Sequence, residues 1–249
     1  MIDTIKVPAI FLSFDDWWET EWVKYLPILA ENNVKATFYP CIRNIYSTPF
    51  LDSEEKIRSA TRPAFWQSLK EIRDKGHTVG FHSVNHPRFG YLKKDLAFQK
   101  LMEIEIQIGL KTFTENGFRP RHFAYPFGSY STMTNEVLLN YFLTLRTIVL
   151  PGNPNFMMRT YSPEQLQEMR IFIGYDIKYP DWQSALKTVL DTKTAGFFFT
   201  HNPRDSNSEL NELFYSAKTC GASFYSMDEK YSKPPHILDS LAPEDMEKK

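Results

Sequence analysis

The chain contains little cysteine and no thiol-rich motif. Only two cysteines occur among its 249 residues, Cys41 and Cys220, and they are far apart in the sequence without CxxC spacing. This usage predicts neither a disulfide framework nor a thiolate zinc site. We expect both cysteines to be ordinary thiols packed as small apolar side chains.

Long apolar runs and an excess of one charge are also missing. No stretch approaches the roughly 18–20 apolar residues that cross a bilayer, and the first residues lack the apolar region of a secretory signal. The formal net charge is −1, with Lys and Arg scattered along the chain. Such a protein offers no positive field for nucleic acid, so a neutral substrate fits better. We expect a soluble protein, cytoplasmic or exported after signal removal, and the sequence indicates no oligomeric state.

The composition favours one globular domain. Apolar residues make up 42% and charged residues 24%, which allows a packed core. Neither an internal repeat nor a glycine- or serine-rich linker divides the chain. We therefore predict a single domain over residues 1–249, with the proline- and charge-rich segment 233–249 as a C-terminal extension.

Short apolar segments alternate with amphipathic ones from end to end. The predicted strands are 9–14, 35–40, 77–82, 121–126, 146–151, 169–176, 196–201 and 222–227. The predicted helices are 22–33, 64–76, 92–117, 135–145, 181–192 and 208–221. This alternation predicts a parallel sheet, and at this length a (β/α) barrel.

Polar residues follow several of these strands, at the edge where ligands collect in parallel α/β folds. HSVNHP (82–87) supplies two histidines four residues apart in a turn, and Asp15-Asp16 ends the first strand. Two imidazoles and one carboxylate are ligands of catalytic zinc, with either aspartate as the third ligand. Alone, HxxxH is a weak signal and Asp-Asp is common in turns. Two adjacent buried acids, however, call for a cation.

Five segments together resemble the polysaccharide deacetylases (NodB-homology, carbohydrate esterase family 4). The matching segments are Ser-Phe-Asp-Asp (13–16), His-Ser-Val-Asn-His-Pro (82–87), Ala-Tyr-Pro-Phe-Gly (124–128), Asp-Trp (181–182) and Phe-Phe-Phe-Thr-His (197–201). Each is weak alone, but their order and spacing agree with the family from about residue 8 to about residue 225. The resemblance implies a distorted (β/α) barrel of seven parallel strands.

The resemblance also implies residue roles. Metal ligands would be Asp16, His82 and His86. The general base would be Asp15 and the general acid His201, which Asp181 would orient. The implied metal is zinc, with cobalt, nickel or iron also compatible with such a site. The implied reaction is removal of N-acetyl, less readily O-acetyl, groups from an amino-sugar glycan, using metal-activated water.

The third segment departs from the family pattern. Ala124 stands where the family has an arginine that pairs with the catalytic aspartate, and Arg121 or Arg119 could substitute for it. Its loss motivates a second reading, a catalytically silent carbohydrate-binding protein. A third reading keeps the metal but acts on a small non-sugar amide, with 44–63 or 151–169 as a lid.

Aromatic side chains, 15% of the residues, flank these segments. By analogy with the family, Phe127 and Trp182 would line an acetyl-sized pocket, and the Phe127 N–H would bind the oxyanion. We also expect Trp17, Tyr125 and Tyr130 to contact substrate, although such aromatics can equally cover the barrel rim. Outside the motifs, we expect structural roles for a further set of histidines: His77, His122 and His236.

Overall fold

The computed structural model describes residues 5–91, 93, 95–148 and 159–231 as strands, helices and connecting loops. The strands are β1 (Ala9–Asp16), β2 (Ala36–Pro40), β3 (Thr78–Val79), β4 (His122–Ala124), β5 (Thr144–Ile148), β6 (Ile171–Asp176), β7 (Ala195–Thr200) and β8 (Ser223–Phe224). The helices are α1 (Glu19–Glu31), α2 (Glu54–Ala60), α3 (Pro63–Asp74), α4 (Leu96–Met102), α5 (Gly109–Glu115), α6 (Thr132–Leu138), α7 (Pro163–Glu168), α8 (Asp181–Thr192), α9 (Asn207–Cys220) and α10 (Met227–Lys230).

Seven parallel strands form a nearly closed barrel. Their order is β3-β2-β1-β7-β6-β5-β4, and the short β8 pairs with β1 outside this path. The two ends of the sheet meet at a parallel bridge between Phe81 and Phe123. There Phe81 N donates to His122 O at 2.9 Å and Ala124 N donates to Phe81 O at 3.1 Å. The predicted distorted barrel of seven strands surrounded by helices is therefore confirmed.

The strand residues alternate between the barrel interior and the helix layer, as the period of two requires. Inside, Phe11 and Phe172 stack on Phe197 at ring distances of 4.7 and 4.4 Å. On the outer face of β1, Phe14 packs against Phe38 at 4.8 Å, beneath α1. Aromatic rings therefore pack against one another in part of the barrel interior.

The amino-terminal end of the barrel is closed by α10. Met227 N donates to Thr37 Oγ1 and Asp228 N donates to Thr78 Oγ1, both at 2.9 Å. The Asp228 carboxylate also pairs with Arg121 and lies 3.3 Å from His122 Nε2. The chain thus returns to plug the end opposite the carboxyl-terminal rim.

The predicted boundaries of one helix and of the strand that follows it are wrong. The helix predicted over 135–145 ends at Leu138, and the strand predicted to begin at Arg146 begins at Thr144. The apolar run 142–145 fits either element, and the fully buried Phe142 fixes the turn between them. The segment 44–63, read as irregular, contains α2, whose N-cap is Ser53.

Some predictions concern residues that the structure does not describe, and others concern two buried histidines. The segment 233–249, His236 and the part 151–158 of the suggested lid lie outside the described residues. His77 and His122 are buried and make internal hydrogen bonds, with Ala36 N and Thr144 Oγ1 respectively. Among the described helices, none is long and apolar enough to cross a membrane.

Candidate metal centre

Three side chains that could ligate a metal converge at the carboxyl-terminal rim. Asp16 ends β1, and His82 and His86 belong to the loop after β3. The Nε2 atoms of His82 and His86 lie 3.3 and 3.1 Å from Asp16 Oδ1 and 3.2 Å from each other. Ligands held about 2.0–2.1 Å from a tetrahedral ion are separated by about 3.3 Å. The residues therefore fit a metal ion.

Backbone conformation and hydrogen bonding orient these ligands. Asp16 and His86 have positive φ values of 81° and 61°, a conformation that residues with side chains rarely adopt. His82 Nδ1 lies 2.7 Å from Ala124 O. A histidine that donates one ring N–H to a carbonyl presents the other nitrogen as a metal ligand. His82 is therefore oriented toward the centre.

The pKa values of Asp16 and His86 also favour the protonation states that bind a metal cation. Burial raises the pKa of Asp16, but hydrogen bonds from His82 and His86 outweigh it and hold this pKa well below its ordinary value. Burial lowers the pKa of His86, and the charge of His82 adds to that effect. An ionised carboxylate and a neutral imidazole are the forms that bind metals.

Asp15 lies beside this group and pairs with an arginine that the sequence reading did not identify. Arg146 Nη2 donates a hydrogen bond to Asp15 Oδ2, and both side chains are only 3% exposed. The suggested substitutes for the missing motif arginine are not in this position, because Arg121 pairs with Asp228 at the opposite end and Arg119 is exposed. The expectation that one of them replaces the motif arginine is therefore wrong.

The sequence does not reveal the role of Arg146, because the apolar residues before it conceal the start of β5 at Thr144. Arg146 is the third residue of β5, and its guanidinium lies 4.5 Å from the centre of the Phe199 ring and 5.4 Å from that of Tyr39. An arginine two residues after Thr144 shares the inner face with it. Correct strand boundaries would have revealed this orientation.

His201 lies beside the carboxylate of Asp16. It follows β7, and its Nε2 lies 3.9 Å from Asp16 Oδ2, with the side chain 41% exposed. Trp22 Nε1 donates to His201 O at 2.8 Å, which holds the backbone there. The imidazole is therefore both near the centre and accessible.

Besides Asp16, a second carboxylate that interacts electrostatically with His201 is Asp176, at the end of β6. Burial raises the pKa of Asp176, and the charge of His201 opposes this shift. Asp181, predicted for this role, is exposed on the first turn of α8. The orienting role of Asp181 stays a prediction. The sequence places Asp176 at the end of a predicted strand but indicates no role for it.

The aromatic side chains predicted to contact substrate differ in how far they are exposed. Phe127 is 41% exposed, and its ring lies 4.4 Å from that of His86. The Trp17 ring lies 5.9 Å from His86, and Tyr130 is 46% exposed. In contrast, Tyr125 and Trp182 are 1% and 3% exposed within the main core. Phe127, Trp17 and Tyr130 are thus the members of this set that a bound molecule could reach.

The Phe127 turn depends on a glycine. Phe127 and Gly128 have positive φ values of 56° and 61° within the 3-10 turn Pro126–Gly128. A Cβ on Gly128 would lie 2.3 Å from Ile148 Cγ1, and Thr147 Oγ1 donates to Gly128 O at 2.7 Å. Strand β5 therefore supports the turn that presents Phe127.

Solved structures with low sequence identity share this fold. A T48 deacetylase solved with substrate is 17% identical, with a TM-score of 0.57 over 93% of this chain and 94% of the other. A family 4 carbohydrate esterase from Streptomyces lividans, solved with acetate, is 17% identical with a TM-score of 0.53 over 89% and 93%. A family 4 pseudoenzyme from Bacillus anthracis is 16% identical with a TM-score of 0.56 over 89% and 64%.

Sequence comparison identifies the family. The uncharacterized protein YlxY of Bacillus subtilis is 31% identical over 124 residues, which are 49% of this chain and 32% of YlxY. The chain thus matches about a third of the length of that relative. The sequence model named polysaccharide deacetylase matches residues 3–145, more than half of the chain. The chain therefore belongs to the polysaccharide deacetylase family.

Proposed function

We propose that this chain is a metal-dependent hydrolase that removes N-acetyl groups, less readily O-acetyl groups, from an amino-sugar oligo- or polysaccharide. The observation that supports it best is the convergence of Asp16, His82 and His86 within 4.8 Å of one another. The pairing of Asp15 with Arg146 adds a second carboxylate that is not needed as a ligand. The family and the solved relatives with substrate or acetate agree with this activity.

In the proposed site, Asp16, His82 and His86 hold the metal, and zinc is our first choice. When bound, such a metal polarises the acyl oxygen and makes its water acidic near neutral pH. Every other part of the reaction falls to side chains and backbone groups of this chain.

Asp15 is the proposed general base that takes the proton from the attacking water. The Arg146 guanidinium neutralises its buried charge and fixes its direction. His201 is the proposed general acid that gives a proton to the leaving amine. His201 Nε2 lies 3.9 Å from Asp16 Oδ2, while Arg146 pairs with Asp15, so the proposed acid and the proposed base are separate groups of one site.

Phe127 is proposed to act through both its backbone and its ring. Its N–H lies in the first turn of a 3-10 helix, where amides have no partner within the helix and can bind an oxyanion. Its exposed ring, with Trp17 and Tyr130, would pack on the acetyl group or the sugar face.

Acetate release from N-acetylglucosamine oligomers tests the proposal. The metal-free protein, prepared by chelation, should release none, and added zinc should restore release. Asp15→Asn should lose acetate release but still bind zinc, whereas Asp16→Asn should lose both. Release that persists after verified metal removal would refute the mechanism.

The alternative function, a catalytically silent carbohydrate-binding protein, is no longer supported by the observation that suggested it. It rested on Ala124, but Arg146 supplies a guanidinium to Asp15 from β5. The pseudoenzyme among the structural relatives shows that a shared fold does not decide activity. Equal glycan binding by wild type and Asp15→Asn, without turnover by either, would revive this reading.

A further inference from the structure

A buried carboxylate outside the ligand set contacts the loop that carries two of the ligands. Glu105 lies in the π-helical turn Glu103–Ile108, which joins α4 to α5 in one continuous helix. Its side chain is directed inward, and the residue is only 2% exposed. A buried carboxylate is costly unless hydrogen bonds satisfy it, so its partners deserve a functional explanation.

All three hydrogen-bond donors to Glu105 come from the segment between His82 and His86. Glu105 Oε2 accepts from Val84 N at 3.0 Å and from Asn85 N at 2.7 Å. Its other oxygen, Oε1, accepts from Asn85 Nδ2 at 2.8 Å. One carboxylate therefore fixes the backbone midway between the two histidine ligands.

The loop needs such external support because its conformation is unusual. Ser83 and His86 have positive φ values of 69° and 61°. Side-chain-bearing residues rarely adopt this region unless surrounding contacts impose it. Within the loop, Ser83 Oγ accepts a hydrogen bond from His86 N at 3.0 Å. From outside the loop, Glu105 accepts a hydrogen bond from Val84 N.

The helix is shaped to bring Glu105 to the loop. Three consecutive residues, Ile104 to Ile106, are buried, which the wider π-turn permits. At Gly109 the helix approaches so closely that a Cβ would lie 2.5 Å from Phe81 Cζ and 2.9 Å from Val84 Cγ2. π-turns often occur at functional sites, and this one directs a carboxylate at the metal loop.

Asn85 extends the contact to a second segment and fixes which atoms face Glu105. Its Nδ2 donates to Leu51 O and its Oδ1 accepts from Leu51 N, both at 2.8 Å. Among the described residues, Glu105 therefore meets three hydrogen-bond donors and no acceptor. Glu105→Gln would place an amide N–H group against one of these donors. Rotating the Asn85 amide by half a turn would relieve this donor–donor contact but would create another one with Leu51 N.

We propose that Glu105 is a positioning residue for the metal centre, which holds the 82–86 loop so that both imidazoles face Asp16. The proposal rests on the metal-dependent function proposed above. Glu105 touches neither metal nor substrate in this role. It acts through Val84 and Asn85.

Zinc affinity, measured by isothermal titration calorimetry on the full chain, tests the proposal. Glu105→Gln should weaken zinc binding about 10- to 100-fold, as loss of an outer partner of metal ligands does. Glu103→Gln is the matched control, because Glu103 is exposed in the same π-turn. Its affinity should equal that of the wild type.

Thermal melting of the metal-free proteins separates positioning from a structural role. A purely structural role predicts a lower melting temperature for Glu105→Gln with zinc affinity within twofold of the wild type, and that result would overturn the proposal. If Glu105→Gln does not fold, the zinc affinity of Asn85→Ala tests the proposal instead. This substitution removes one of the three donors, so a smaller loss of affinity supports the proposal and an unchanged affinity overturns it.

The same titration separates this inference from the proposed reaction. A wild type that binds zinc but releases no acetate contradicts the deacetylase function, while Glu105 is still judged by affinity. A wild type that binds no divalent metal overturns both.

Discussion

Arg146 donates a hydrogen bond to Asp15 across the interior of the barrel, between residues 131 positions apart. The two strands that carry them, β5 and β1, are not neighbours, since β6 and β7 lie between them. The pair is buried beside Phe199 and Tyr39. Ala124 stands where the family motif has an arginine, and Arg146 supplies a cationic partner to Asp15 from another strand.

We expect Arg146→Ala to lower kcat for acetate release by about 10- to 100-fold, since it removes the partner of the proposed base. It should also lower the free energy of unfolding by about 3–5 kcal/mol, because Asp15 is left as an unpaired buried charge. Zinc affinity should change little, since Asp16 is the proposed ligand. Arg119→Ala, at an exposed arginine, is the control. A kcat within twofold of the wild type would show that the pairing has no part in catalysis.

The sequence allowed the metal triad to be predicted because its pattern is local. His82 and His86 lie four residues apart, and Asp16 ends an apolar strand, so the parallel-strand rule brings them to one rim. The contact of Arg146 with Asp15 depends on barrel closure and on the exact start of β5, which an ambiguous apolar run conceals. The inward direction of Glu105 could not be predicted, because the sequence around it has an ordinary helical pattern and no local signal for a π-turn.

Asparagine substitutions test whether Asp176 or Asp181 acts on His201. We expect Asp176→Asn to lower kcat by about tenfold or more, because it removes the negative charge that acts on His201. Asp181→Asn changes an exposed residue of α8 and should alter kcat by less than about twofold. Both are measured as initial rates of acetate release with zinc saturating. The reverse ranking would restore Asp181 to the role that the family resemblance implies.

Metal binding should stabilise the fold. A ligand that binds only the native state adds about 3–4 kcal/mol at 100 to 1,000 times its dissociation constant. We therefore expect the melting temperature, measured by calorimetry, to rise when zinc is added to the chelated protein. Asp16→Asn should remove most of this rise, because it removes one of the three converging groups. An equal rise in that variant would place the bound zinc elsewhere.

His77 should make stability depend on pH. Burial, with the charge of Lys35 adding to it, lowers the pKa of His77 to about 4. The unfolded chain, with an ordinary histidine pKa of about 6.5, therefore takes up the proton first, and native stability falls as the pH drops from 6.5 toward 4. Between pH 7 and pH 5 this single group should cost about 2 kcal/mol.

Denaturant unfolding at several pH values measures the effect of His77. His77→Gln keeps a hydrogen-bond acceptor for Ala36 N and cannot titrate, so its stability should fall less over this range. Gln67→Ala, at an exposed residue without an ionisable side chain, is the control and should keep the pH slope of the wild type. An identical pH slope in wild type and His77→Gln would contradict the assignment.

The Gly128 turn can be tested with two alanine substitutions that share a backbone cost. Gly117 and Gly128 both have positive φ, at 82° and 61°. A Cβ at Gly117 meets nothing within 4 Å, whereas at Gly128 it would lie 2.3 Å from Ile148 Cγ1 and 2.9 Å from Ile148 N. Gly117→Ala should therefore lower the free energy of unfolding by about 1 kcal/mol, and Gly128→Ala by at least about 2 kcal/mol.

The two variants should also differ in activity. To relieve the clash, Gly128→Ala must move the Pro126–Gly128 turn away from β5, and the Phe127 ring lies only 4.4 Å from that of His86. We expect a raised KM and a lowered kcat in Gly128→Ala, and unchanged constants in Gly117→Ala. Equal stability losses in the two variants would mean that β5 yields to the added methyl group. An unchanged KM in Gly128→Ala would mean that the placement of Phe127 does not govern substrate binding.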